Sequence, residues 1–190
     1  TWDLSSNLSV YGDLAVSGGT VDASGGETIF CSQDVDLTGG AFSGNNSTFV
    51  FRGVSTLTSA LEALFNVQIG TASSGGTLIL ADDADFNGNL TVENGGSTTF
   101  TATGRRISAG GNINLTNLDI FDRTCTTFIF DGTTLLTSAG FTLIDVELGT
   151  ASTGGSLSTA GSLEIDGTFT VYNGNTTTLN ISDDTLTIGT

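Results

Sequence analysis

FVFRGVSTLTSALEALFNVQIGTASSGG (49–76) recurs without a gap as FIFDGTTLLTSAGFTLIDVELGTASTGG (128–155), 79 positions downstream. In both copies apolar residues occupy alternate positions, as in Phe49 and Phe51 or Phe128 and Phe130, and the runs are cut by Gly, Ser and Thr. Alternation over a short run bounded by turn residues is the pattern of a strand with one buried and one wetted face. The heptapeptides GTASSGG (70–76) and GTASTGG (149–155) then read as one turn used twice, because the same path recurs.

A third anchor extends the repeat. VYGDLAV (10–16), FNGNLTV (86–92) and IDGTFTV (165–171) place Gly12, Gly88 and Gly167 alike, at offsets of 76 and then 79. The repeat units are 1–69, 70–148 and 149–190, the last partial, within a single domain 1–190. Separate sandwich domains would leave the last one with an open core, whereas a coil stops after any rung because each rung touches only its neighbours. Self-similarity at a fixed period is the mark of such stacks. The expectation is an all-β chain, a parallel β-helix or β-solenoid with internal repeats of about 79 residues. With rungs of about 20 residues, each repeat is about four rungs, and nine or ten rungs give a rod of roughly 45 Å. SALEALF (59–65) carries a helix-like pattern with a Ser cap. Its counterpart SAGFTLI (138–144) holds Gly140 and Phe141, which favours extended structure in both.

Composition narrows the function. Four Arg, no Lys and no His stand against 20 acidic residues, for a net charge of −16. Nucleic acid is excluded as a partner, since phosphate contacts need a cationic footprint. An anionic lipid surface is disfavoured for the same reason. No apolar run approaches the ~20 residues of a membrane span, so membrane insertion is not expected. The chain opens at Thr1 on strand-like sequence without a signal-peptide pattern, as a processed form would.

The phrases VYGDLAV, FNGNLTV, IDGTFTV, FVFRG and FIFDG resemble the β-solenoid repeats of secreted bacterial surface proteins, adhesins and extracellular fibres. The resemblance covers nearly the whole chain, through motifs that specify a coil path and no activity. It implies export, an extracellular or cell-surface location, and a structural or adhesive role, with cell-surface material or glycans as further partners.

Catalytic chemistry has few carriers. Without His, Ser-His-Asp and Cys-His hydrolases and His-ligated metals are excluded. Carboxylates remain: Asp82, Asp83 and Asp85 in ADDAD (81–85), Asp34 with Asp36, and Asp183 with Asp184. Paired acids serve glycoside hydrolysis, so an alternative is a carbohydrate-binding or polysaccharide-processing β-helix using the ADDAD acids. Hard oxygen ligands also suit calcium, although GGTVDASGG (18–26) only grazes a calcium-roll repeat; solvated turns are the simpler reading, and no cofactor is assigned. Cys31 and Cys125 lie too many rungs apart for an internal disulfide, leaving free thiols or a bridge between subunits. Sequons occur at Asn7, Asn45, Asn46, Asn89, Asn114, Asn175 and Asn180. Threonine runs at 97–103 and 175–180 suit outward strand faces, but no T-x-T ladder suited to an ice surface runs through all three copies.

The ends carry the functional expectation. TWDLSSNLSV opens as strand and DTLTIGT closes as strand, without Lys, Pro or an amphipathic helix to blunt either edge. The expected function is a non-enzymatic subunit of an extracellular filament or adhesin, self-associating head to tail into a homopolymer. Trp2, Arg105, Arg106, Thr187 and Ile188 are the candidate self-association residues, with Trp2 as buried anchor and the Arg pair meeting acids of a neighbour. The repeat phase is imperfect for such joining, since Thr190 corresponds to Gly111 and Thr1 to Thr77.

Overall fold

Alternation tells each segment which face to bury, and pairing decides what the segments build. The computed structural model describes every residue except Ser182, Asp183 and Thr190. Among the described residues all paired strands run parallel and none is helical. The chain is the expected β-solenoid, with about eight turns of about 22 residues. The rung is slightly longer than the expected 20 residues. SALEALF is a turn followed by the strand Ala63–Leu64, with no helix.

Each turn visits three sides. The first side stacks nine strands in chain order: Leu8–Val10, Thr28–Cys31, Thr48–Phe51, Asn66–Ile69, Leu90–Val92, Ile113–Asn114, Thr133–Thr137, Ser156–Thr159 and Thr178–Asn180. The second stacks Leu14–Ala15, Val35–Asp36, Val54–Thr58, Gly76–Leu80, Thr98–Thr101 and Ile120–Asp122. It resumes with Leu143, bridged to Ile165, and the pair Leu163–Ile165 and Leu186–Ile188. The third side holds Trp2–Asp3, Thr20–Asp22 and Ala41–Ser43, then Ala63–Leu64, Ala84–Phe86, Arg106–Ala109, Thr127–Phe130, Asp145–Leu148 and Phe169–Val171. At ~4.8 Å per strand, the nine-stranded side is roughly 38 Å long.

The sequence repeat and the three sides are out of phase. Phe49 lies on the first side, and its counterpart Phe128 on the third; Leu78 lies on the second, and Leu157 on the first. The repeat therefore advances three full turns and two further sides, slightly less than four rungs. Gly12, Gly88 and Gly167 accordingly mark three different corners. What each copy preserves is local path. The short turn from Phe49 to Val67 reappears as Phe128 to Val146, both 18 residues in register. Gly70 and Gly149 adopt φ of 77° and 73°, a left-handed conformation that only glycine takes without strain. In the turns that follow, the Thr71 amide donates to the Ser74 carbonyl at 2.7 Å and the Thr150 amide to the Thr153 carbonyl at 2.8 Å.

The alternating residues meet in one column. Phe49, Phe51, Phe86, Phe100, Phe128 and Phe130 are fully buried, and Phe100 stacks on Phe121 with centroids 5.4 Å apart. Each such ring contributes on the order of 1.5–3 kcal/mol by leaving water. Burial fades in the last turn, where Val171 is exposed although its counterpart Val92 is buried.

Candidate functional site

The corners explain the acids. At a corner the chain leaves the ladder, and its amides need other acceptors. Asn and Asp side chains from the adjoining turn supply them. Asn66 Oδ1 accepts from the Asn89 amide at 3.0 Å, Asn89 Oδ1 from Asn112 at 2.9 Å, and Asn112 Oδ1 from Leu135 at 2.9 Å. Asp13 and Asp34 do the same for the amides of Asp34 and Thr56, and Asp145 for Thr168. Asp22 and Asp36 fold back on the amides of Ser24 and Thr38; the Ser24 hydroxyl and then its amide hold the Asp22 carboxyl below the usual range, and the Thr38 amide and then its hydroxyl do so for Asp36.

The ADDAD acids divide among such tasks. Asp82 accepts from the amides of Ser59 at 2.8 Å and Ala60 at 2.7 Å, one on each oxygen. Asp83 Oδ1 accepts from the Arg106 amide at 2.9 Å. Asp85 points outward on the third side, its carboxyl raised first by desolvation and then by nearby Asp131. No group of three or more acidic or Cys side chains comes together in a metal-holding arrangement among the described residues. Asp183 lies outside the described residues. The side-chain Oδ1 atoms of the sequon residues Asn7, Asn89, Asn114 and Asn175 likewise accept from backbone amides.

Both cysteines are free, with Cys31 buried and Cys125 exposed. Burial pushes the Cys31 thiol up to about 12, a shift that nearby Arg52 partly opposes. Arg105 and Arg106 sit midway along the coil. Arg106 is held by Glu147 of the same chain through two bonds of 3.1 and 2.8 Å, and Arg105 Nε donates to the Leu80 carbonyl. Neither is near the first or last turn.

Trp2, Thr187 and Ile188 are at the ends. The strands Trp2–Asp3, Leu8–Val10 and Leu14–Ala15 each pair on one edge only, with the second turn. Among the described residues the ladders of Phe169–Val171, Thr178–Asn180 and Leu186–Ile188 run to the turn before. Trp2 is 53% exposed and borders a recess of about 360 Å³ lined by Leu14, Val16 and Val21. At the other end Val171 and Ile188 are exposed. The first strand of the coil lies on the third side and the last on the second. The helical step therefore falls at the same corner at both ends, despite the imperfect repeat phase; Thr190 lies outside the described residues.

The first corner also holds Tyr11, and the Arg52 side chain reaches it from the third turn. Tyr11, 76% exposed, aligns with Asn87 and Asp166, and Arg52 beside it aligns with Asp131. An aromatic or a cation where the other copies carry a polar or acidic residue is a signal available in the repeat. Comparison of the chain with protein-family models, curated proteins and solved structures gives no match.

Proposed function

We propose that the chain is a non-catalytic structural coil that acts by stacking head to tail with copies of itself into a filament, in extracellular surroundings. The observation that carries this reading is the exposure of apolar groups at the first and last turns, Trp2 and Tyr11 at one end and Val171 and Ile188 at the other, beside strands whose ladders, among the described residues, run to one neighbouring turn. Unpaired strand edges beside exposed apolar groups are a template for further strands. The matching position of the helical step lets each of the three sides continue across the junction, and a head-to-tail contact repeats as an open fibre. The use of Asp82 and Asp83 as backbone acceptors weighs against the carbohydrate-processing alternative.

The test is negative-stain microscopy with sedimentation of the 190-residue chain over a concentration series. Unbranched filaments of uniform width above a critical concentration are expected; a chain monomeric at every concentration overturns the reading. Intact mass of the native chain adds a second arm, because a mass well above 19.3 kDa would mean that further turns of the same chain cover these edges.

A further inference from the structure

We propose that the Asn-Gly pairs at 94–95 and 173–174 are self-modifying sites, at which the folded chain converts its own asparagines to aspartate and isoaspartate. The inference is independent of the head-to-tail reading above. The sequence holds a third Asn-Gly pair at 87–88. All three asparagines are exposed, so it is their backbone surroundings that set them apart. The pair at 94–95 turns the corner between the strands Leu90–Val92 and Thr98–Thr101, and its counterpart at 173–174 the corner between Phe169–Val171 and Thr178–Asn180. Among the described residues neither the Gly95 nor the Gly174 amide donates a hydrogen bond, and the side chains of Asn94 and Asn173 have no partner. Neighbouring groups hold both corners without them: Asn117 Nδ2 donates to the Val92 carbonyl at 3.0 Å, and Thr177 Oγ1 to the Tyr172 carbonyl at 3.0 Å. Gly88, by contrast, is buried, and its amide donates to the Phe65 carbonyl at 2.7 Å.

A backbone amide that gives no hydrogen bond is open to solvent base, whereas one committed to a carbonyl must first break that bond. The deprotonated Gly nitrogen attacks the Asn Cγ. The N–Cγ bond forms, the Cγ–Nδ2 bond breaks, and the side-chain nitrogen leaves as ammonia, carrying a proton equivalent to the one the Gly amide lost. Water then opens the resulting cyclic imide. Cleavage of the N–Cγ bond gives aspartate, and cleavage at the former main-chain carbonyl gives isoaspartate; either product adds one negative charge. Packing dictates the glycine, because a Cβ at Gly95 would collide with the Thr71 carbonyl oxygen, and one at Gly174 with the Thr150 carbonyl oxygen. With no side chain of its own, that glycine leaves its nitrogen open to approach. The asparagine before it serves no amide, unlike Asn66, Asn89 and Asn112, yet it stands in both copies, where the first copy has Gly18. Both pairs lie outside the strand ladders, so the coil keeps its pairing after conversion.

The dilute 190-residue chain is incubated at physiological temperature and mildly alkaline pH, folded and in parallel in urea, and each asparagine is followed by peptide mapping that separates aspartate from isoaspartate. In urea all three pairs convert at similar rates, since glycine follows each asparagine. In the folded chain positions 94 and 173 stay within about threefold of their urea rates, while position 87 lags them by about tenfold or more, a factor of ten in rate being about 1.4 kcal/mol. Folded protein in which Asn94 or Asn173 persists while the unfolded chain converts, or in which Asn87 keeps pace with them, overturns the proposal. Isoelectric focusing supplies a second readout, because conversion produces new acidic bands that the double variant Asn94→Gln, Asn173→Gln lacks. Acidic bands that form as fast in that variant also overturn it. Thermal melting checks that the variant is folded; should it lose its transition, the wild-type peptide maps decide by themselves.

Discussion

Replacing Leu61 by Gly is expected to stabilise the coil. Ala60 and Leu61 adopt φ of 54° and 67°, and Glu62 N donates to the Ser59 carbonyl at 2.9 Å, a tight turn with both central residues left-handed. The same turn in the next copy runs through Ala139 and Gly140 at 56° and 84°, closed by Phe141 N on the Ser138 carbonyl at 3.0 Å. A left-handed conformation strains a residue with a Cβ by roughly 1–2 kcal/mol. Leu61 is 78% exposed, so little burial offsets that strain. Glycine returns about 0.5–1 kcal/mol through the greater freedom of the unfolded chain. The net gain for Leu61→Gly is about 0.5–1 kcal/mol, and a melting temperature higher by roughly 1–4 °C for a chain of this size. Gly140→Leu introduces the same strain in the second copy and is expected to lower stability by a similar amount. Thermal melting and urea titration of both variants measure the effect. A Leu61→Gly protein that melts below wild type would refute the equivalence of the two turns.

Phe100→Ala removes a fully buried ring stacked on Phe121 and is expected to cost about 3–5 kcal/mol in urea unfolding. Asn112→Ala breaks the asparagine ladder at the amide of Leu135, an exposed contact, and costs about 1 kcal/mol, with faster hydrogen exchange at that amide. A thiol reagent modifies Cys125 in the folded protein and reaches Cys31 only on unfolding. Because the Cys31 thiol is raised from 9.0 to about 12, the unfolded state loses this proton first. Its contribution is complete below pH 9 and is lost toward pH 12 at about 1.4 kcal/mol per pH unit, so Cys31→Ser flattens the alkaline limb of the stability profile. Asp85→Asn removes a partly desolvated charge facing Asp131. Since the Asp85 carboxyl is raised, its ionised form disfavours the fold at neutral pH; the variant gains less than about 1 kcal/mol there, and the gain disappears as acid protonates Asp85 in the wild type.

Much of the fold was legible in strand-forming stretches such as LTV at 90–92, where alternation names the buried residues directly. The Phe pairs at 49 and 51 and at 128 and 130 were legible for the same reason, and all four are buried. The strands that hold Trp2, Thr187 and Ile188 were legible as terminal strand patterns. The partner of Arg106 was not legible, since Glu147 is 41 residues away in sequence and brought near only by the coil. The Asn and Asp turns looked like solvated surface, because the amides they serve lie on the next turn, typically 21 to 23 residues along.

By itself, the sequence of this protein determined which residues face inward, where the chain turns, and that one path is followed more than once. These are local properties, written in a two-residue alternation and in glycine-rich corners. Only the tertiary structure decided that three sides close each turn, that the repeat steps three turns and two sides and so moves each copy to another face, and that Arg52 reaches back to Tyr11. The number of sides depends on how far each strand runs before the next one docks on the shared column of side chains. That is settled by packing between turns, which no single turn encodes.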